Sequence, residues 1–99
     1  MYRSMSIYPK SADPARVEEI VQRSTAVFKQ GAGFRSCTTS VDALMGPGAK
    51  DGEVGRIVVV DFDTLEDALA VLQSEAFEEI GAASDQLRPT HYLFDCREL

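Results

Sequence analysis

The stretch that most constrains the fold is RIVVVDFD at residues 56–63, a nearly continuous run of β-branched residues. Alternate side chains of a strand point to opposite faces of its sheet, and here both alternate sets contain apolar residues. Such a run is typical of a strand that is covered on both faces. Any fold for this chain must therefore cover both sides of the sheet around this strand.

The N-terminal segment alternates, with Ser4, Ser6 and Tyr8 on one side and Met5 and Ile7 on the other. This period of two predicts a first strand. The alternation alone does not decide which side points into the protein.

The next segment, SADPARVEEIVQRSTAVFKQGAG, has apolar residues at helical spacing. We expect Asp13 to cap this helix, Pro14 to lie in its first turn, and Gly31 or Gly33 to end it. Ser24 lies inside the apolar stripe. A small residue at a close packing point is the favoured interpretation of Ser24, and room for a ligand is the alternative.

The rest of the chain predicts a strand at FRSCTTSVDAL, a glycine-rich loop over residues 45–55, the buried strand, a helix and a last strand at RPTHYLFDC. Asp63 and Glu66 have capping-box spacing, so we expect Asp63 to cap the second helix. The apolar stripe continues beyond DTLEDALAVLQ, with a break expected near Ser74 or Gly81.

This order, β-α-β-β-α-β, predicts an α+β, ferredoxin-like fold with one four-stranded antiparallel sheet. Residues 1–99 are expected to form a single domain, because the chain is too short for a second core. Both helices would cover the same face of the sheet. The opposite face would still carry apolar side chains, so we expect a homodimer in which two sheets pack together as a dimeric α/β barrel.

Charge and hydropathy exclude several partners. The net charge of −6 opposes phosphate neutralisation, so no nucleic acid partner is expected, and it disfavours an anionic membrane surface. The sequence contains no apolar segment of the ~20 residues needed to cross a bilayer. A cytoplasmic protein is therefore expected, with Cys37 and Cys96 as buried free thiols.

Residue patterns for metal, phosphate and nucleophile chemistry are missing from the sequence. His91 is the only histidine, and Cys96 lies at opposite parity on the same strand, which excludes a catalytic pair between them. Neither a metal site nor a cofactor is expected. The glycines near Lys50 do not form a phosphate-binding motif.

What remains is a small-molecule site with polar groups in an apolar pocket. His91 is the candidate general base toward a phenol or enol, since its unperturbed pKa is near neutrality. Tyr8, Tyr92, Arg35 and Arg56 are the candidate substrate-binding residues that could hold an oxyanion. His91 and Tyr92 point to opposite faces, so at most one of them faces the pocket. A structural or surface role for His91, and salt-bridged surface roles for both arginines, are the alternatives.

The block GEVGRIVVVDFDTLEDALAVLQSEAFEEI resembles the third strand and second helix of EthD-like proteins in the dimeric α/β-barrel superfamily. In those proteins too, a hydrophobic strand ends in F-D-S/T-L-E-D/E-A and runs into a helix. The motif covers residues 55–80, and the topology covers the whole chain. The resemblance implies a homodimer with a pocket between sheet and helices in each subunit.

Relatives in that superfamily include cofactor-independent monooxygenases, isomerases, cyclases and haem-degrading enzymes. This chain has no Trp, and its one His lies on a strand, so haem binding is not expected. The resemblance implies binding of a small hydrophobic or aromatic metabolite, with cofactor-free oxygenation, isomerisation or cyclisation as the candidate reactions. The alternative is a non-catalytic accessory or ligand-sensing dimerisation domain.

Overall fold

A computed structural model describes residues 1–42, 44–46 and 53–99. The elements are β1 (Tyr2–Pro9), α1 (Pro14–Phe28), β2 (Phe34–Thr39), β3 (Val54–Phe62), α2 (Leu65–Leu72), α3 (Glu75–Asp85) and β4 (Thr90–Asp95). The predicted loop over residues 45–55 lies largely outside the described residues.

The four strands form one sheet in the order β2-β3-β1-β4, and every neighbouring pair is antiparallel. The buried strand β3 and the N-terminal strand β1 occupy the centre, as the β-branched run predicts. Val58, Val60 and Phe62 of β3 pack against the helices on one face of this sheet. The ferredoxin-like prediction is therefore confirmed.

The second helical region breaks where one of the two predicted break points lies, but its N-cap differs from the sequence prediction. The predicted second helix consists of α2 and α3, which are separated at Gln73 and Ser74, close to one of the two predicted break points. The cap of α2 is Thr64 and not Asp63: Thr64 Oγ1 accepts a hydrogen bond from the Asp67 amide at 3.1 Å. The helix begins at Leu65, so Thr64 is the residue that directly precedes it. The Asp63 carboxylate pairs with Arg35.

The first helix begins as predicted. Asp13 Oδ1 accepts a hydrogen bond from the Ala15 amide at 3.1 Å, and Pro14 lies in the first turn. The helix ends at Phe28, before either glycine. Gly33 instead turns the chain into β2 with a φ of 74°, where a Cβ atom would lie 2.1 Å from Asp67 Oδ2.

The core has two neighbouring clusters on the helix side of the sheet. One contains Tyr8, Val17, Ile20, Val21, Val58 and Ile80. The other contains Phe28, Val60, Phe62, Ala68 and Val71. Phe77 packs against both clusters, and its ring stacks on Phe28 with centroids 5.4 Å apart.

The orientation of β1 is the feature that positions the site. Ser4, Ser6 and Tyr8 point toward the helices, whereas Met5 and Ile7 lie on the opposite face, which we call the open face. A strand between two layers usually turns its apolar residues toward the helices. Here the serines take those positions, so the space above them is not filled by large side chains.

Candidate functional site

A cavity of about 550 Å³ lies between the helix face of the sheet and helices α1 and α3. Its volume is in the range typical of small-molecule sites. Its apolar lining residues are Val21, Phe28, Val58, Val60, Leu72, Phe77 and Leu93. Its polar or small lining residues include Ser4, Ser6, Tyr8, Ser24, Glu78, Gly81, Ser84, Asp85 and His91.

The cavity exists because small residues face one another across it. Ser4 and Ser6 project from the sheet, Ser24 from α1, and Gly81 and Ser84 belong to α3. Large apolar residues at these positions would close the space between the two layers.

The inner end of the cavity contains a buried hydroxyl pair. Tyr8 OH lies 2.7 Å from Ser84 Oγ, and both residues are 4% exposed. Burial raises the pKa of the Tyr8 phenol above its ordinary value, although the hydrogen bond with Ser84 opposes this rise. The Tyr8 phenol is therefore a neutral hydrogen-bonding group at physiological pH.

The mouth of the cavity contains the single histidine. His91 Nδ1 lies 2.8 Å from Ser6 Oγ, and His91 Nε2 lies 3.8 Å from Asp85 Oδ1. The His91 side chain is 48% exposed, and Asp85 and Glu78 are exposed on α3. Solvent, and a ligand entering from it, can therefore reach the imidazole.

The His91–Ser6 contact follows from the strand register. His91 on β4 lies directly opposite Ser6 on β1, and Leu93 lies opposite Ser4. Cross-strand partners point to the same face of a sheet, so His91 shares the helix face with the serines. The sequence leaves open which of His91 and Tyr92 faces the helices. The strand register places His91 on that face.

Tyr92 is placed differently. It borders the cavity, but it lies opposite Met5 on β1, so its side chain belongs to the open face. The structure therefore brings His91 and Tyr8 to the helix side of the sheet and does not bring the Tyr92 phenol there.

Neither predicted arginine lines the cavity. Arg35 Nε lies 2.5 Å from Asp63 Oδ1 at an exposed end of the sheet. Arg56 Nη2 lies 2.5 Å from Glu18 Oε2 of α1, and this contact lowers the pKa of Glu18. Each arginine is paired with a carboxylate, so the structure places both apart from His91.

Three site residues were not identified from the sequence. Ser6 and Ser84 are hydrogen-bond partners of His91 and Tyr8, and Asp85 faces the imidazole. The alternation of Ser4, Ser6 and Tyr8 carried the signal for Ser6. Ser84 and Asp85 lie near the end of a helix, and nothing in their local pattern indicates a site.

The described residues contain no group of three or more His, Cys, Asp or Glu side chains that could hold a metal ion. Among the same residues, no helix is long and apolar enough to cross a membrane.

Fold and site together define a ferredoxin-like α+β protein with a ligand-sized cavity between its sheet and its helices. No protein-family model matches the chain, and comparison with curated proteins finds no match. Solved structures do match it over nearly its full length, and they show its fold.

One similar structure is a variant of SnoaB, a cofactor-independent oxygenase from Streptomyces nogalater. It is 18% identical, with a TM-score of 0.79 over 99% of this chain and 94% of that chain. An EthD family protein from Bacillus halodurans is 12% identical, with a TM-score of 0.72 over 98% of this chain and 99% of that one. A dimeric ferredoxin-like protein from Thermobifida fusca is 14% identical, with a TM-score of 0.71 over 96% and 90%. The chain has the same ferredoxin-like α+β fold as these proteins.

Proposed function

We propose that this protein is a homodimer that binds a small aromatic phenol or enol in the cavity and removes its acidic proton through His91. The observation that carries the proposal is the His91 imidazole, fixed by Ser6 and facing Asp85, at the mouth of an otherwise largely apolar cavity. Apolar walls with a few placed polar groups are typical of small-molecule sites.

The hydrogen bonds of His91 suit a general base. When Nδ1–H donates to Ser6 Oγ, Nε2 has a free lone pair and can accept a proton from the ligand. The resulting imidazolium then lies within ion-pair distance of the Asp85 carboxylate, at 3.8 Å. Ser6 therefore orients the base, and Asp85 is the carboxylate nearest to its protonated form.

The charges at the mouth favour a ligand that enters neutral. Asp85 and Glu78 border the cavity, and the net charge of the chain is −6. A carboxylate ligand would be repelled there, whereas a neutral phenol or enol can enter and ionise beside the imidazole. We therefore place phenols and enols ahead of carboxylic acids as ligands.

Cofactor-independent oxygenation is the reaction that fits such an anion best. An aromatic anion is more electron-rich than its neutral parent and reacts more readily with O2. A phenol with a ring C–H and O2 would give a quinone and water, so that the substrate supplies all four electrons. The similarity to SnoaB, a cofactor-independent oxygenase, supports this choice among the candidate reactions.

The open face supports the homodimer. Met5, Ile7, Val59, Tyr92 and Phe94 lie on it by strand parity, and Phe94 is 38% exposed. Apolar side chains grouped in this way are usually covered by a partner. The similarity to a dimeric ferredoxin-like protein favours a second copy of this chain as that partner.

The test uses 2-naphthol, whose absorbance changes when its hydroxyl ionises, and 2-methoxynaphthalene, which has no acidic proton. We expect both probes to bind at the cavity, and we expect bound 2-naphthol to ionise at a lower pH than 2-naphthol in solution. His91→Gln should bind 2-naphthol within a few fold of the wild type and lose this downward shift. Failure of both probes to bind at millimolar concentration would overturn the proposal.

Measuring oxygen consumption then distinguishes an enzyme from a ligand-sensing domain. The half-exposed position of His91 also suits a ligand-sensing domain that binds its ligand without turnover. Oxygen consumption with phenolic ligands, abolished in His91→Gln, is expected for the enzyme. Tight binding with no oxygen uptake over a panel of phenols would establish the sensing function instead.

A further inference from the structure

Ser24 presents an unpartnered hydroxyl to the cavity. Its residue is 7% exposed, and it lines the cavity from α1. A serine inside a helix commonly donates its hydroxyl to a carbonyl one turn earlier, as the adjacent Thr25 does to Val21 O at 2.7 Å. Within the part of the chain that the structure describes, the Ser24 hydroxyl makes no such bond and has no other hydrogen-bond partner.

The other hydroxyls around the cavity show why Ser24 is distinct. Ser6 is bonded to His91, and Ser84 is bonded to Tyr8. Ser4 also lines the cavity without a side-chain partner among the described residues, but it is less buried than Ser24. The Ser24 hydroxyl is accessible from the cavity, so whatever fills the cavity, water or a ligand oxygen, must supply its hydrogen bond.

We infer that Ser24 binds a second oxygen of the ligand, at a different point from the hydroxyl that His91 deprotonates. The ligand class is therefore an aromatic molecule with an ionisable hydroxyl and a further hydroxyl or carbonyl oxygen, and Ser24 determines specificity for that second oxygen. This inference rests on the proposed function, because it takes His91 as the partner of the first oxygen. A hydroxyl can donate or accept, so Ser24 suits either kind of oxygen.

The apolar surroundings of Ser24 strengthen the preference for ligands that carry a second oxygen. Its neighbours along the helix stripe, Val21 and Phe28, also line the cavity and are apolar. A ligand with only carbon at this point leaves the hydroxyl unsatisfied, whereas a ligand with an oxygen there gains a hydrogen bond in a site of low polarity.

The test compares ligands with one and two oxygens on the wild type, on Ser24→Ala and on the control Ser11→Ala. Ser11 is exposed in the turn after β1 and does not line the cavity. The probes are 2-naphthol and 1,6-, 2,6- and 2,7-dihydroxynaphthalene, each of which adds one hydroxyl to 2-naphthol at a different distance from the first. Circular dichroism checks that each variant is folded.

We expect at least one dihydroxy isomer to bind the wild type and Ser11→Ala about fivefold to tenfold more tightly than 2-naphthol. Ser24→Ala should remove that gain, so that 2-naphthol and the dihydroxy isomer bind the variant with similar affinity. If 2-naphthol binds but no isomer gains affinity, or if the gain survives in Ser24→Ala, this inference is wrong and the proposed function stands. If neither kind of probe binds the wild type, both are wrong.

Discussion

Ser6 and His91 lie directly opposite each other on neighbouring strands, and Ser6 Oγ is 2.8 Å from His91 Nδ1. The sheet register therefore fixes the serine and the base relative to each other. The same register places both side chains on the cavity side of the sheet.

The first prediction concerns this hydrogen bond. Ser6→Ala should lower the yield of ionised 2-naphthol at the site about threefold to tenfold, because the imidazole loses the partner that orients Nδ1. The measurement is the absorbance of the bound anion as a function of pH. Ser6→Thr retains the hydroxyl and is the matched control. Equal anion yield in Ser6→Ala and wild type would show that Ser6 does not position the base.

The second prediction concerns Tyr8 and Ser84. Tyr8→Phe should cost about 1–2 kcal/mol in the free energy of unfolding, because the buried Ser84 hydroxyl loses its partner. Urea unfolding at neutral pH measures this change. Ser11→Ala, which alters an exposed hydroxyl, should stay within about 0.5 kcal/mol of the wild type.

Tyr8 also determines how the stability of the fold changes at alkaline pH. Burial raises the pKa of Tyr8, so above pH ~10 the unfolded chain loses this proton more readily than the folded one. Stability should therefore fall as the pH rises through that region, and Tyr8→Phe should fall less steeply. A steeper fall in the variant would contradict the assignment.

The third prediction concerns an ion pair on the open face. Arg3 Nε and Nη2 donate to the two carboxylate oxygens of Asp61 at 2.8 and 3.0 Å, and Asp61 is 5% exposed. Arg3→Met leaves this carboxylate with only the Ser36 hydroxyl, at 3.5 Å, as a hydrogen-bond donor. We expect a loss of about 2 kcal/mol in unfolding free energy, less than for a fully buried pair because Arg3 is partly exposed.

The pH dependence of that pair follows from the Asp61 pKa. Hydrogen bonding by Arg3 holds the pKa of Asp61 below its ordinary value. The stabilisation is therefore present above pH ~4, the unfolded value, and is lost as the pH falls through the lower folded value. Asp61→Asn should flatten this acid limb. If Asp61→Asn loses stability at acid pH as steeply as the wild type, other carboxylates cause the acid sensitivity.

The fourth prediction concerns the homodimer. Sedimentation at micromolar concentration should give about twice the 10.8 kDa chain mass. Phe94→Glu introduces a charge on the open face and should shift the protein to the monomer mass. Val41→Glu changes a residue that is 88% exposed and lies outside every strand, so it should leave the mass unchanged. A wild-type mass of 10.8 kDa would contradict the dimer.

The sequence predicts the order of the strands and helices correctly. Periodicity around the β-branched run, the cap at Asp13 and the break near Ser74 predicted the strand and helix order. Thr64 and not Asp63 caps α2, because the helix begins at Leu65. The Asp63 carboxylate pairs with Arg35 of β2, a residue distant in sequence. Contacts between segments distant in sequence leave no pattern in the residue spacing, so they could not be predicted.

The site was harder to predict for the same reason. The helix stripe favours a packing role for Ser24, because it does not reveal that β1 turns serines toward it. Arg35 and Arg56 were candidates by residue type, but their carboxylate partners are set by the tertiary fold. Those partners could not be inferred from spacing along the chain.

The most direct measurement of the central claim is a methyl NMR titration of the protein with 2-naphthol. Val21, Val60 and Leu93 line the cavity, whereas Val41 is exposed away from it. We predict saturable shifts of the three cavity signals with Val41 unchanged. Saturable shifts confined to methyl groups outside the cavity, or no shifts at millimolar 2-naphthol, would contradict a phenol-binding site at His91.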